Sequence, residues 1–186
     1  MNTVGSMVMS DRKKILLHTC CAPCATYPVE LLLSLNTDIV LFFSNANIFP
    51  ETEYAKRLES ARNLSSQLNL SLIEDAYDHH AWLGHIKGLE REPERGRRCI
   101  KCFEYSLIRT AMAAQNLSIP CFTTTLTVSR HKPSKVIFEV GSHLAGFCPI
   151  DFKKNNGFSQ SIELSRKYNL YRQNYCGCEF SMRVTP

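Results

Sequence analysis

The sequence predicts a single α/β domain: a mostly parallel sheet with flanking helices. Two observations carry that expectation. Short apolar runs alternate with stretches of helical period, and 186 residues suit one domain. Strands alternating with helices of this length imply right-handed βαβ units. A third observation, nine cysteines, points to the chemistry.

The elements follow in order. "KILLHT" reads as a short buried strand, and "YPVELLLSL" as a helix opening near Pro28, since proline is tolerated in a first helical turn. "DIVLFFSNAN" is a second buried strand, rich in β-branched and aromatic residues. In "FPETEYAKRLESARNLSSQLN", Tyr54, Leu58, Ala61, Leu64 and Leu68 recur at spacings of three and four, which predicts an amphipathic helix. "LSLIEDAY" is a third strand. The irregular stretch between Tyr77 and Arg98 is expected to hold a helix around Trp82 to Glu90 and then a basic loop. "KCFEYSLIRTAMAAQN" is helical, with Phe103, Leu107, Ala111 and Ala114 on one face. "CFTTTLTV" is a fourth strand, "PSKVIFEVGSHL" a helix, "PIDFKK" a last short strand and "SQSIELSRKYN" a last helix. The domain is assigned to 14–186 and a flexible N-terminal arm to 1–13.

No run reaches the roughly 20 apolar residues of a membrane helix, and the start lacks a signal peptide's apolar core of about 7–15 residues. A cytoplasmic protein without membrane contact is expected. In a reducing compartment, nine cysteines point to metal binding or redox chemistry rather than a disulfide framework. Seven fall in three groups: "CCAPC" (Cys20, Cys21, Cys24), "CIKC" (Cys99, Cys102) and "CGC" (Cys176, Cys178). Cys121 and Cys148 stand alone beside apolar residues and read as small buried hydrophobes.

Adjacent Cα atoms lie about 3.8 Å apart, too close for a relaxed Cys20–Cys21 disulfide, so a shared cation or cluster is the natural reason for both thiols. "CIKC" is a chelating pair that completes four thiolates. A zinc ribbon spaces its pairs by about 15–20 residues. Here 74 residues separate Cys24 from Cys99, which disfavours a local zinc module and leaves an iron–sulfur cluster or a structural zinc staple. In "CGC" the glycine permits a sharp turn, so Cys176 and Cys178 read as a reversible redox couple, with metal ligation as the alternative. "CAPC" between strand and helix also has the layout of thioredoxin-type exchange, which would leave Cys20 and "CIKC" unexplained.

"LLHTCCAPC", "FFSNANIFPETEY", "EPERGRRCIKCF", "FTTTLTVSRHK", "DFKK" and "YRQNYCGC" together resemble the cobalamin-independent epoxyqueuosine reductases of the QueH type, over about Lys14 to Ser181. The resemblance implies an adenine-nucleotide α-hydrolase-like (Rossmann-like) fold. It implies reduction of epoxyqueuosine in tRNA to queuosine, epoxide to alkene, as the last step of tRNA queuosine biosynthesis. It also implies a [4Fe–4S] cluster on Cys20, Cys21, Cys99 and Cys102, and a redox-active pair at Cys176 and Cys178. A second, mononuclear iron is compatible with it, with Cys24 and one of Asp75, Asp78 or Asp151 as candidate ligands. The implied partners are tRNA with epoxyqueuosine in its anticodon loop and an unidentified electron donor.

Other features bear on the substrate. "REPERGRRCIK" carries five basic and two acidic residues, and Arg130, Lys132, Lys135, Lys153 and Lys154 add to the positive charge near the cysteine motifs. Such runs are solvated surface or phosphate contacts. Phe49, Tyr54, Trp82 and Tyr171 are packing residues or platforms for a base. His18, His131 and Tyr175 are candidate proton donors, although a histidine at a strand end, as His18 is, is more often a structural hydrogen-bonder. An ATP-using enzyme of the same fold would carry a glycine-rich pyrophosphate loop where "HTCCAPC" stands without a glycine. A non-catalytic zinc-stapled RNA-binding module is the remaining rival.

Overall fold

The computed structural model describes residues 12–182, so most of the arm expected over 1–13 lies outside the described residues. The strands are β1 (Lys14–His18), β2 (Asp38–Phe43), β3 (Ser71–Glu74) and β4 (Cys121–Thr124). The helices are α1 (Ala22–Ser34), α2 (Glu51–Gln67), α3 (His79–His85), α4 (Arg97–Asn116), α5 (Ser134–Gly141) and α6 (Gly157–Lys167). All strand pairs are parallel, in the order β3-β2-β1-β4.

The alternation of side chains sorts the core into two layers. Leu16, Val40, Phe42 and Phe122 face Phe103 and Leu107 of α4 and Ile137 of α5. Ile15, Leu17, Ile39 and Leu41 face the other way, onto Tyr27, Val29 and Leu32 of α1, with Phe158 and Leu164 of α6 behind them. Leu64 of α2 packs on Ala22 and Ala25 of α1. Helices on both faces explain why β1, β2 and β4 are almost wholly buried, while β3, at one edge, is not.

Several boundaries differ from the sequence expectation, each for a local reason. Helix α1 opens at Ala22, not near Pro28: Cys21 caps it with extended backbone (φ −169°) and Pro23 takes the first turn. Pro28 sits inside the helix, where it has no N–H to offer the carbonyl of Cys24. Helix α4 starts at Arg97, behind Gly96, and so takes "CIKC" into its first two turns. The fourth strand ends at Thr124. Residues 125–128 then turn as a 3-10 helix, with the Thr124 hydroxyl accepting the Leu126 N–H.

"PIDFKK" forms no strand. Parallel pairing falls earlier, as a single bridge between Phe122 and Phe147. The Phe122 N–H donates to Gly146 O and the Cys148 N–H to Phe122 O, both at 2.8 Å. That pairing brings Cys148 beside Cys121, and the two form a disulfide with Cα atoms 6.2 Å apart. The expectation of two separate buried thiols is corrected by this contact, which neither local sequence reveals.

Gly157 marks the closest approach between α6 and α1. A Cβ there would lie 1.9 Å from the Phe152 carbonyl oxygen and 2.5 Å from the Tyr27 ring. Gly157→Ala is expected to cost about 1–3 kcal/mol or more, as overpacking of a filled contact does. An unchanged urea midpoint would show that this contact gives way freely.

Candidate metal centre

Sheets of this kind place ligands beyond the carboxyl ends of the strands, where strand order reverses. Here that point lies between β1 and β4. The chain leaves β1 through Thr19, Cys20 and Cys21 and enters α1, so Cys24 sits in the helix's first turn. Among the described residues, Cys20, Cys21 and Cys24 are the one group of three candidate metal ligands, with donor atoms within 4.8 Å of one another. The Cys20 N–H donates to the Thr125 hydroxyl at 3.0 Å, and that hydroxyl in turn donates to Cys20 Sγ at 3.3 Å. Thr125 opens the turn after β4, so the switch point itself clamps Cys20.

The three sulfurs compete for protons. The Cys21 and Cys24 thiols donate to Cys20 and hold its pKa well below the usual thiol range. That same bond to Cys20 pushes Cys21 up to about 11 and raises Cys24 as well. One thiolate is therefore stable in this buried turn, and three are not, unless a cation joins them. The N-terminus of α1 favours negative charge here but supplies only about half a unit. This donor set fits a thiophilic metal or cluster.

A second set of thiols surrounds the start of α4. The Arg95 N–H donates to Cys99 Sγ at 3.3 Å. Burial raises the Cys99 and Cys102 pKa values, and the charges of Cys176 and, for Cys102, Cys178 add to the effect. Cys102 packs with Trp82, Ile86 and Cys178. The indole Nε1 of Trp82 is buried with no oxygen or nitrogen partner among the described residues and faces the Cys102 thiol. The structure thus groups Cys20 and Cys21 with Cys24, and Cys99 and Cys102 with Cys176 and Cys178. Lys132 lies within electrostatic reach of both sets. Burial works against its charge, but Cys176, Cys20, Cys24 and Cys21 outweigh that and hold it protonated.

Cys176 is an exposed free thiol and Cys178 a buried one. Their segment is pinned by Arg57, which is buried on α2 and donates to the carbonyls of Cys176 (3.0 Å) and Tyr175 (3.3 Å). Its Nε also donates to Glu53 at 2.7 Å. Sequence reasoning missed this pair. The available signal was a Glu and an Arg four apart, with Arg57 in register with Ala61 and Leu64 on the apolar face.

Other candidates take structural roles. The His18 Nε2 meets the Ser44 carbonyl at 3.1 Å and so carries the proton, while Nδ1 accepts from the Thr124 hydroxyl at 2.8 Å. Burial keeps this ring neutral by lowering its pKa. It ties strand ends together and offers no proton. Asp78 caps α3, and Asp151 accepts from Ser134 Oγ and the Lys153 N–H. Arg98, 3% exposed, donates to the carbonyls of Glu90 and Glu92 and lies over Phe180. The Lys153 ammonium donates to the carbonyls of Thr127, Ser129 and Lys132. Both basic residues are clasps, not phosphate contacts. Arg97, Lys101, Arg130, Lys135 and Lys154 remain exposed.

Asp75 is engaged by Arg109 through both carboxylate oxygens and by the Ser44 hydroxyl at 2.7 Å. Burial alone would raise its pKa. The Arg109 and Ser44 hydrogen bonds outweigh it and hold the carboxyl below 3.8. A depressed carboxylate stabilises the fold above its unfolded pKa, and the gain fades as pH falls through the folded value. Asp75→Asn should therefore cost about 1.5–3 kcal/mol near neutrality. The gap from the wild type should narrow as pH falls below the ordinary carboxyl value of 3.8, as urea midpoints of the metal-free protein would show. A gap independent of pH would place the loss elsewhere.

The sheet order and the thiol-lined switch point define a class: an adenine-nucleotide α-hydrolase-like α/β protein with cysteines where the nucleotide-binding loop would run. Two solved structures share the fold. NMN synthetase from Francisella tularensis superposes with a TM-score of 0.53 at 11% identity, covering 87% of this chain and 63% of that one. The U34-tRNA thiolase NcsA from Methanococcus maripaludis, solved with its [4Fe–4S] cluster, gives 0.58 at 10%, covering 97% and 65%. The family model for epoxyqueuosine reductase QueH matches residues 15–184, and this chain belongs to that family. Its relatives include epoxyqueuosine reductases QueH from Streptococcus pyogenes (39% identical over 186 residues, 94% of this chain and 72% of the relative) and Thermotoga maritima (32% over 178 residues, 90% of each). Among the described residues, no helix is long and apolar enough to cross a membrane.

Proposed function

We propose that this protein reduces epoxyqueuosine in tRNA to queuosine, converting the epoxide to an alkene. The observation that carries this reading is the Cys20–Cys21–Cys24 group, its first two members buried, at the switch point of a chain in the QueH family. A [4Fe–4S] cluster, when bound, supplies one-electron transfers at low potential. Cys20 and Cys21 would hold it with Cys99 and Cys102. Cys24 is then the sulfur left for a second, mononuclear iron. The carboxylates of Asp75, Asp78 and Asp151 already have partners.

The chain's own residues close the stoichiometry. Removing the epoxide oxygen as water takes two electrons and two protons. Oxidation of the Cys176 and Cys178 thiols to a disulfide releases two of each: an S–S bond forms, both C–O bonds break, and the oxygen leaves as water. An external electron donor must reopen the disulfide after each turnover. Gly177, at φ +144°, gives the intervening backbone a conformation other residues rarely adopt. Lys132 brings positive charge within electrostatic reach of both thiol sets, and the exposed Arg97, Lys101 and Arg130 are available to phosphates of an anticodon loop.

The test is anaerobic reconstitution with iron and sulfide, followed by an absorption spectrum and nucleoside analysis of epoxyqueuosine-bearing tRNA. A brown protein that converts the epoxide to the alkene is expected. A colourless zinc protein that leaves the epoxide intact would favour the stapled RNA-binding module instead.

A further inference from the structure

Four aromatic residues could serve as a platform for a base, and the structure separates them. Tyr54 and Trp82 are core residues, 8% and 1% exposed, whereas Phe49 and Tyr171 are 41% and 40% exposed. Tyr171 is tied through its hydroxyl to Glu53. Phe49 instead forms the wall of a cleft of about 360 Å³, lined also by Glu51, Tyr77, Asp78, His79 and His80.

The Phe49 ring is the outer end of an ordered stack. It lies on His79 (centroids 5.4 Å apart, 27° between planes), and His79 lies on Trp82 (5.4 Å, 23°). The His79 ring is fixed at both nitrogens, by the Ala46 carbonyl at 2.7 Å and Glu179 Oε1 at 3.2 Å. A stack whose inner members are held so firmly presents a flat, pre-oriented π-face. Two residues of the cleft wall are also tied to the thiol segment. The Phe49 N–H donates to the Gly177 carbonyl at 2.9 Å, between the two cysteines, and Glu179 directly follows Cys178. The rim is acidic, with Glu51 and Asp78. Carboxylates repel a phosphate but accept from N–H groups.

We infer that this cleft binds an extruded nucleobase of single-stranded RNA, stacked on Phe49, with a guanine-type N–H edge toward the Glu51 and Asp78 carboxylates. The inference rests on the proposed function and names the site that delivers the base to Cys176 and Cys178. Stacking on an aromatic side chain is tolerant of ring substituents, so a modified base fits the same face.

The test uses the reconstituted full chain and anticodon stem-loop RNAs: one with the substrate base, one abasic at that position, and one with adenine there. The wild type should bind the base-bearing RNA about tenfold or more tighter than the abasic RNA, as one stacked base contributes. Phe49→Ala and Phe49→Leu should both erase that preference, because leucine fills the space without a π-face. Phe49→Trp should keep it. Affinity for the abasic RNA, set by phosphate contacts, should not change. The adenine RNA should bind several-fold more weakly than the substrate RNA, since adenine presents a ring lone pair to the carboxylates. Preference retained in Phe49→Leu, or no preference in the wild type, overturns the site. If the wild type turns over the epoxide while Phe49→Leu keeps its preference, the reductase reading stands and the cleft falls. If the preference depends on Phe49 but no epoxide is reduced, the cleft stands and the reductase reading falls.

Discussion

Replacing Cys20 by serine is expected to leave the protein without iron and without activity. Cys20 is the group in the trio whose pKa is held low, because Cys21, Cys24 and Thr125 all donate to its sulfur. It is thus the sulfur of the three that gives up its proton most readily to an arriving metal. Serine cannot take that place, since its hydroxyl stays protonated near neutrality and is a poor ligand for a soft site. After anaerobic reconstitution, iron and sulfide should fall to background and the brown absorption should vanish. Thermal stability should fall with them, because a ligand that binds only the folded state adds its binding free energy to stability. Thr125→Val removes only the hydroxyl that clamps Cys20. It should weaken metal affinity about 10–100-fold, as loss of an outer partner does. Full iron content in Cys20→Ser would remove the trio from the metal site.

The sheet was legible because its signal is local. Apolar runs such as "KILLH" and "DIVLFF" must be buried on both faces, and the sequence shows this without knowledge of their neighbours. The cysteine motifs were legible as chemistry for the same reason. Boundaries were less so. Cys21 as a helix cap is an unusual choice, with no side-chain cap hydrogen bond to advertise it, and Pro28 looked like a beginning although Pro23 was the one in the first turn. Partnerships across the chain were not legible at all. The Cys121–Cys148 bond depends on a single bridge between Phe122 and Phe147, and the clamp on Cys20 comes from a threonine 105 positions away. Charge was the most misleading signal. Arg98 and Lys153 read as solvated surface or phosphate contacts, yet each is turned inward onto backbone carbonyls, as is Arg57, which no motif singled out. A long basic side chain snorkels outward or satisfies buried oxygens, and only tertiary context decides which.

Cys176→Ser and Cys178→Ser should each retain full iron content and colour, while multiple-turnover reduction of the epoxide falls to background. A lone thiol cannot form the intramolecular disulfide that releases two electrons, whereas all four proposed cluster ligands, Cys20, Cys21, Cys99 and Cys102, stay in place in either variant. The surroundings make this a clean test. Arg57 holds the Tyr175 and Cys176 carbonyls and Phe49 holds that of Gly177, so exchanging one sulfur for oxygen leaves the backbone anchored. Gly177→Val should also lose turnover, by another route. A side chain is strained at φ +144°, and its Cβ would press against Asn47, Arg57 and Ile48 at 3.0–3.2 Å. Titration of the wild type in redox buffers should show a two-electron couple, with about 30 mV for each tenfold change in equilibrium constant. Either serine variant should lack that couple and keep the cluster spectrum. Loss of iron in Cys176→Ser or Cys178→Ser would instead make these residues ligands. Full turnover in either would move the two-electron store elsewhere in the protein.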